Sequence, residues 1–287
     1  MIIVTGASGK LGRTTVQQLL KRVTAADIGV SVRDPQKAME FQDLGVRVRQ
    51  GDFADPQSLQ RAFEGATQVL ILSSGKLGEE GLRLHQNAIA ASREAGARRI
   101  LYTSHMAASP NSLFPPMWTH AATEELLWQS GLPFTSLRNG FYADSARFLL
   151  GQAFQTGEVR APQDGPVSWT THADLAEAAA VILTTEGQFD GPTPPLTSAE
   201  ALDLAQLGEI VSSLTGRPGR RVVVPEEEFR SALQASGQPQ ERIAVTMGLY
   251  GASHRGEFAA VGPTLAQLLG RKPQRMREFL AESLQTA

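Results

Sequence analysis

The strongest constraint on this chain lies at its start. Ile2–Thr5 is a short run of mostly apolar, β-branched residues that breaks at Gly6-Ala7-Ser8-Gly9-Lys10-Leu11-Gly12. The chain then passes into Thr14–Lys21, where Val16, Leu19 and Leu20 recur at helical spacing. An unbroken apolar strand is what a parallel sheet covered on both faces requires. Glycines let the backbone turn sharply between strand and helix, and the free N–H groups of the helix start then face an anion. A glycine pattern alone is weak. Between a strand and a helix, at the head of a βαβ array, this one reads as a pyrophosphate loop, with G-x-x-G-x-x-G in place of G-x-G-x-x-G.

The rest of the chain supplies that array. Ile28–Val32, Val46–Arg49, Gln68–Leu72, Ile100–Thr103 and Phe134–Leu137 are predicted as strands two to six. Helices are predicted from Pro35 through Gln36–Leu44, over Ser58–Phe63, from Leu82 to Ala95 and around Glu124–Gln129. Strand and helix alternate roughly every 25 to 30 residues, the pattern of a parallel sheet with right-handed crossovers. Past residue 150 the rhythm changes. Asp174–Leu183, Ala205–Leu214, Glu226–Ala235, Leu265–Leu269 and Met276–Leu284 read as helices, and Arg221–Val224 as a late strand. Gly191-Pro192-Thr193-Pro194-Pro195 reads as a rigid loop at a domain crossing.

Composition narrows the function classes. With 27 Lys+Arg against 29 Asp+Glu the net charge is -2, without the basic excess of a dedicated nucleic-acid binder. The 287 residues, 41% hydrophobic and 20% charged, are ordinary for globular chains and suffice for a large core. There is no cysteine, which removes disulfides, Cys-ligated zinc, iron–sulfur clusters and thiol nucleophiles. His85, His105, His172 and His254 show no metal-ligand spacing, so no metal is expected. No run approaches the about 18 apolar residues of a membrane span. The chain opens on a strand rather than a secretory leader, so a cytoplasmic location without membrane contact is expected. No heptad or extended apolar stripe stands out, which leaves a homodimer open.

The ordered set TGASGKLG (Thr5–Gly12), VSVRDPQKA (Val30–Ala38), GVRVRQGDF (Gly45–Phe53), LILSSG (Leu70–Gly75), YTS (Tyr102–Ser104), HAATEELL (His120–Leu127), SGLPFTSLRNGFY (Ser130–Tyr142), THADLAEAAAVIL (Thr171–Leu183) and LLGRKPQRMREFL (Leu268–Leu280) resembles the NmrA-like atypical short-chain dehydrogenases. Within them it is most similar to the quinone- and triphenylmethane-reductase branch. The resemblance covers nearly the whole chain. It implies a Rossmann-type doubly wound parallel sheet over 1–150 and a smaller C-terminal α/β substrate-covering part over 151–287, interleaved with the sheet.

An NAD-preferring site places a carboxylate at the end of the second strand. Here Arg33 follows Val32, and its guanidinium fork suits a 2′-phosphate, although a shift of one residue would present Asp34 instead. NADP(H) is the expected cofactor, held by Gly6, Ala7, Ser8, Gly9, Lys10 and Leu11 of the loop and by Arg33, with Lys10 as a second positive charge. The resemblance adds Asp52 near the adenine and Ser73, Ser74 and Gly75 at the fourth strand end. It also adds Asn139, Gly140, Phe141 and Tyr142 near the nicotinamide.

Most short-chain dehydrogenases carry Tyr-x-x-x-Lys. Anchored on the following A-A-T-E-E-L-L, those positions hold Pro116 and His120. Proline has no side-chain proton, so the ordinary mechanism cannot operate. One reading is a non-catalytic NADP(H)-sensing regulator. The other is a reductase whose acceptor needs no enzymatic acid: a quinone becomes a delocalised anion that solvent protonates, and a cationic triarylmethyl dye becomes neutral. A simple ketone would leave an alkoxide and need an acid worth about 10²–10⁴-fold. Losing the tyrosine thus counts against alcohol dehydrogenation more than against hydride transfer, which favours a quinone or similar aromatic acceptor. An epimerase or dehydratase would retain the tyrosine.

The catalytic candidates are His120, to hold the ribose or steady negative charge, Asn139, whose amide can both donate and accept, and Tyr142, as an alternative proton donor. Ser104 occupies the family's serine position without its tyrosine partner. Phe114, Trp118, Phe141 and Trp169 are candidates for a flat pocket wall or for core. The arginines from Arg271 to Arg277 read as a solvated surface.

Overall fold

The computed structural model describes residues 1–185 and 187–285. Its first half runs β1 (Ile2–Thr5), α1 (Lys10–Leu19), β2 (Ile28–Val32), α2 (Met39–Asp43), β3 (Arg47–Gln50), α3 (Pro56–Phe63), β4 (Gln68–Ile71), α4 (Gly78–Glu94), β5 (Arg99–His105), α5 (Pro116–Gln129) and β6 (Phe134–Asn139). There follow β7 (Phe141–Tyr142), α6 (Ala143–Leu150), α7 (Ala153–Thr156), β8 (Glu158–Ala161), β9 (Trp169–Thr170), α8 (His172–Thr184) and β10 (Gly191–Pro192). The chain ends with α9 (Leu204–Thr215), β11 (Arg220–Val223), α10 (Glu226–Ala235), α11 (Gln240–His254), α12 (Thr264–Leu269) and α13 (Met276–Gln285).

The main sheet has the order β10-β6-β5-β4-β1-β2-β3, and its strands pair in parallel. This is a Rossmann-type sheet, and its order reverses between β1 and β4, where an open α/β sheet receives its ligand. The strands are buried because each face is covered. Val4, Val30, Leu70, Leu101 and Leu137 pack with Val16 and Leu19 of α1, Leu175–Leu183 of α8 and Leu265 and Leu268 of α12. Ile3, Val69, Ile71, Ile100 and Tyr102 meet Leu59 and Phe63 of α3, Ile89 of α4 and Leu127 of α5 on the other face.

Elements after residue 150 complete this sheet. Helix α8 reads as amphipathic in sequence, and eight of its thirteen residues are buried; its alanines let it lie close against α1. The Gly191–Pro195 run is not loop throughout. Gly191 and Pro192 form the seventh strand at the sheet edge, where a missing proline N–H costs no ladder bond. The N–H groups of Thr193 and Leu196 carry the pairing on to the carbonyls of Ser136 and Arg138.

A second core gathers Phe114, Phe141, Trp169, Leu207, Tyr250, Phe258 and Met276 beyond the carboxyl ends of the strands. It contains α11, a 15-residue helix that the apolar spacing did not signal. After β2 the expected helix is a 3₁₀ turn over Pro35–Ala38 and then the short α2. The arginine tail is not merely solvated: Arg271 pairs with Asp174 at 2.8 Å and with Glu177 at 2.6 Å, tying it to α8. Among the described residues no helix is long and apolar enough to cross a membrane.

Candidate active site

A cleft of about 720 Å³ runs along the carboxyl ends of β1, β2, β4 and β5. Its floor is the glycine loop. Gly6 has φ +62°, which a side chain would strain. A Cβ on Gly12 would stand 2.6 Å from the Gly6 carbonyl oxygen and 2.9 Å from the Ala7 Cα, so only glycine lets α1 begin against the loop. Gly9 precedes α1 without a side-chain cap, leaving the first-turn N–H groups open where Gly9, Lys10 and Leu11 line the cleft. Open N–H groups at a helix start suit an anion.

Beyond β2 the side chains of Arg33 and Asp34 take different places. Asp34 accepts the Gln36 N–H at 3.1 Å and caps the 3₁₀ turn. Arg33 lines the cleft, exposed and without an ion-pair partner among the described residues. Ser31 beside it has a buried hydroxyl oxygen lacking a hydrogen-bond partner. Asp52 also lines the cleft, with one carboxylate oxygen accepting the Ala54 N–H at 2.9 Å. The residues present therefore fit a dinucleotide whose ribose carries an extra phosphate.

Lys10 is placed differently from the expectation of a second charge beside Arg33. Its ammonium pairs with Asp144 on α6 at 2.6 Å, and the other Asp144 oxygen meets His172 Nδ1 at 2.7 Å. Partial burial works against the Asp144 charge, but the bonds to Lys10 and His172 outweigh it and hold the carboxyl below its usual range. His172 itself lines the cleft, with the Tyr142 ring against it at 4.3 Å between centroids and tilted by 35°. Nothing in the spacing of the histidines marked it.

The Leu72–Gly78 loop is pinned by side chains that act as acceptors. Thr5 takes the Leu72 N–H at 2.9 Å, Thr103 the Ser73 N–H at 2.8 Å, His85 Nε2 the Ser74 N–H at 2.8 Å and Thr119 the Gly78 N–H at 3.0 Å. So held, Ser73–Lys76 forms a wall shared by the cleft and a second cavity of about 220 Å³. The second cavity is lined by Pro116, Thr119 and His120 of α5, with His85 and Tyr102. The two positions of the missing pair thus face open space. Burial pushes His85 and His120 down to about 4 and His105 to about 3, so all three imidazoles are neutral near pH 7.

Several candidates lie behind these surfaces. Ser104 is not available for catalysis: it donates to Glu124 at 2.8 Å, as Ser136 does at 2.9 Å, and Arg138 binds the same carboxylate through Nε and Nη2. Ala7 is fully buried beneath the loop. Asn139 is 2% exposed, and its buried Oδ1 has no hydrogen-bond partner among the described residues. Gly140 is required because a Cβ would meet the Thr170 hydroxyl and the Ser168 and Leu196 carbonyls. Phe141, Phe114 and Trp169 do not wall an open pocket; they pack edge to face or tilted with Phe258 and His105 in the second core. Trp118 is 49% exposed, with its indole N–H on the Ser112 carbonyl. Tyr142 and Ser8 line the cleft, His120 lines the second cavity, and Ser73, Ser74 and Gly75 line both.

Comparison with known proteins follows the same lines. The NAD(P)H-binding family matches residues 6–186. Quinone oxidoreductase 2 of Escherichia coli (strain K12) is 32% identical over 287 residues, 98% of each chain. The crystal structure of Citrobacter sp. triphenylmethane reductase complexed with NADP(H) matches with a TM-score of 0.90 and 33% identity, covering 99% of this chain and 100% of that one. The Escherichia coli NADPH-dependent quinone oxidoreductase complexed with NADPH matches with a TM-score of 0.90 and 31% identity, over 100% and 99% of the two chains.

Proposed function

This chain belongs to the NAD(P)H-binding family of NmrA-like atypical short-chain reductases, and from that premise we propose that it reduces a small quinone seated beside Pro116 and His120. It is an oxidoreductase of the NADP(H)-dependent quinone- and dye-reductase kind. When bound, NADPH supplies a hydride. The α1 N–H groups and the glycine loop would hold its pyrophosphate, and the Arg33 guanidinium would pair with its 2′-phosphate. Asp52 borders the adenine side. Ser73–Gly75 would border the nicotinamide end.

The observation that carries the reading is the second cavity, open at the two positions that ordinarily hold Tyr and Lys and sharing a wall with the cleft. At about 220 Å³ it is smaller than the about 300–1,000 Å³ typical of drug-sized sites, which favours an acceptor of one or two rings. Such an acceptor makes few demands on acid catalysis, because the anion formed by hydride addition is delocalised. The work left to the protein is orientation. Tyr142 is a poor acid here, since burial raises its pKa. Its place against His172 suits a cofactor-facing wall instead.

The test is steady-state NADPH oxidation with quinones of one, two and three rings. Turnover with the smaller acceptors, falling as rings are added, is the expected result. Tight NADPH binding without consumption by any acceptor would overturn the reductase reading and leave an NADP(H)-sensing regulator.

A further inference from the structure

The second cavity contains a phenol that no spacing in the sequence announces. Tyr102 is on β5 and fully buried, and its hydroxyl lies 2.9 Å from Nδ1 of His120 on α5. Both residues line the cavity. The surrounding hydrogen bonds decide which partner carries the proton. His85 Nε2 accepts the Ser74 N–H, so its proton is on Nδ1 and goes to the Thr123 hydroxyl at 2.8 Å. Thr123 in turn gives its own proton to the Thr119 carbonyl at 2.7 Å. Thr123 therefore has no proton left to give Tyr102, and its oxygen, which accepts from His85, has one lone pair left. With the phenol proton assigned to the 2.9 Å contact with His120 Nδ1, a neutral imidazole carries its remaining proton on Nε2.

We propose that Tyr102 is a positioning residue that fixes His120 in the Nε2–H tautomer, so that a neutral imidazole donates a hydrogen bond to the acceptor oxygen that becomes negative. The proposal rests on reading the second cavity as the acceptor site. The acceptor quinone gains a hydride from the dihydronicotinamide, which is oxidised, and becomes a hydroquinone monoanion. Nε2–H stabilises that oxygen, water delivers the proton that completes the hydroquinone, and His120 ends with the protons it began with. A neutral histidine used as a donor is an established way to stabilise an enolate-like oxygen. Burial supports the arrangement at both ends: it keeps His120 uncharged and raises the Tyr102 pKa so that the phenol keeps its proton. Ser74, whose buried hydroxyl oxygen has no hydrogen-bond partner, stands on the same cavity wall.

The experiment uses the full chain labelled with ¹⁵N-histidine, with long-range proton–nitrogen correlation spectra at neutral pH. The His120 signals are assigned from their loss in His120→Gln. The expected result is a bare Nδ1 and a protonated Nε2 in the parent chain, and a mixture of tautomers in Tyr102→Phe. A protonated Nδ1 in the parent, or an unchanged tautomer in Tyr102→Phe, would overturn the proposal. In turnover with a one-ring quinone, Tyr102→Phe should lower kcat about tenfold with the KM for NADPH unchanged. His120→Leu should cost about 10²–10³-fold, as loss of an oxyanion donor does, while His120→Gln, which keeps an N–H near Nε2, retains part of the rate. Equal losses in the Gln and Leu variants would also overturn it. Absence of quinone turnover in the parent chain would refute the acceptor-site reading, and with it the catalytic role of the donor, whereas the nitrogen shifts would still decide the Tyr102–His120 assignment.

Discussion

Arg33 stands at the end of β2 facing the cleft, without an ion-pair partner among the described residues, while Asp34 beside it is occupied as a cap. A charged hydrogen bond of this kind is worth about 1.5–3 kcal/mol, so Arg33→Ala should weaken NADPH binding by about 10- to 100-fold. NADH binding should change little. Calorimetric titration of both nucleotides checks this, and an equal loss for both would show that Arg33 does not read the 2′-phosphate. Arg33 was legible because it follows directly on an apolar strand. Tyr102 and His172 were not. A strand residue shows which face it takes, but whether its hydroxyl reaches an imidazole on α5 depends on how helix and strand pack. The ion pair of Lys10 was not legible for a similar reason: its partner, Asp144, is distant in sequence and reaches it only through the fold.

At the scale of elements, Glu124 joins three of them. From α5 its carboxylate receives Ser104 of β5 and Ser136 and Arg138 of β6. Glu124→Gln keeps the shape but leaves the guanidinium without its countercharge. Breaking a buried pair costs about 3–5 kcal/mol; about 2–3 is expected here, because the Arg138 side chain is 33% exposed. For a chain of this length that lowers Tm by about 5–10 °C, readable by calorimetry, with nucleotide affinity nearly unchanged. An unaltered Tm would show that the hub does not hold α5 to the sheet. The six parallel strands were legible as short apolar runs between helical periods. Strand β10 was hidden because two residues rich in turn character, Gly191 and Pro192, take their place from the register of β6 rather than from their own propensity. Helix α11 was hidden because its buried positions, Ile243, Met247 and Tyr250, are diluted by glycine and alanine.

Across the whole molecule the two cores share the chain without a clean cut: α8, β10 and α12 return from the second half to close the sheet. The site lies where the cores meet, and there the buried histidines give a pH signature. His85 and His120 are pushed from 6.5 to about 4 and His105 to about 3, so between pH 6.5 and about 4 the unfolded chain binds more protons than the native one. Stability therefore falls as pH drops through that window and is fully present above it. Denaturant midpoints from pH 8 to 4 should decline accordingly, with the decline shallower in His85→Gln; a flat profile would contradict the burial of these imidazoles.

The central claim is hydride transfer from the cleft into the second cavity without a Tyr–Lys pair, and single-turnover stopped flow addresses it most directly. Protein preloaded with NADPH is mixed with a one-ring quinone while the reduced-nicotinamide absorbance is followed. The account predicts complete loss of the signal at a rate that saturates with quinone and slows in His120→Leu. Bound NADPH that stays reduced at every quinone concentration would contradict it.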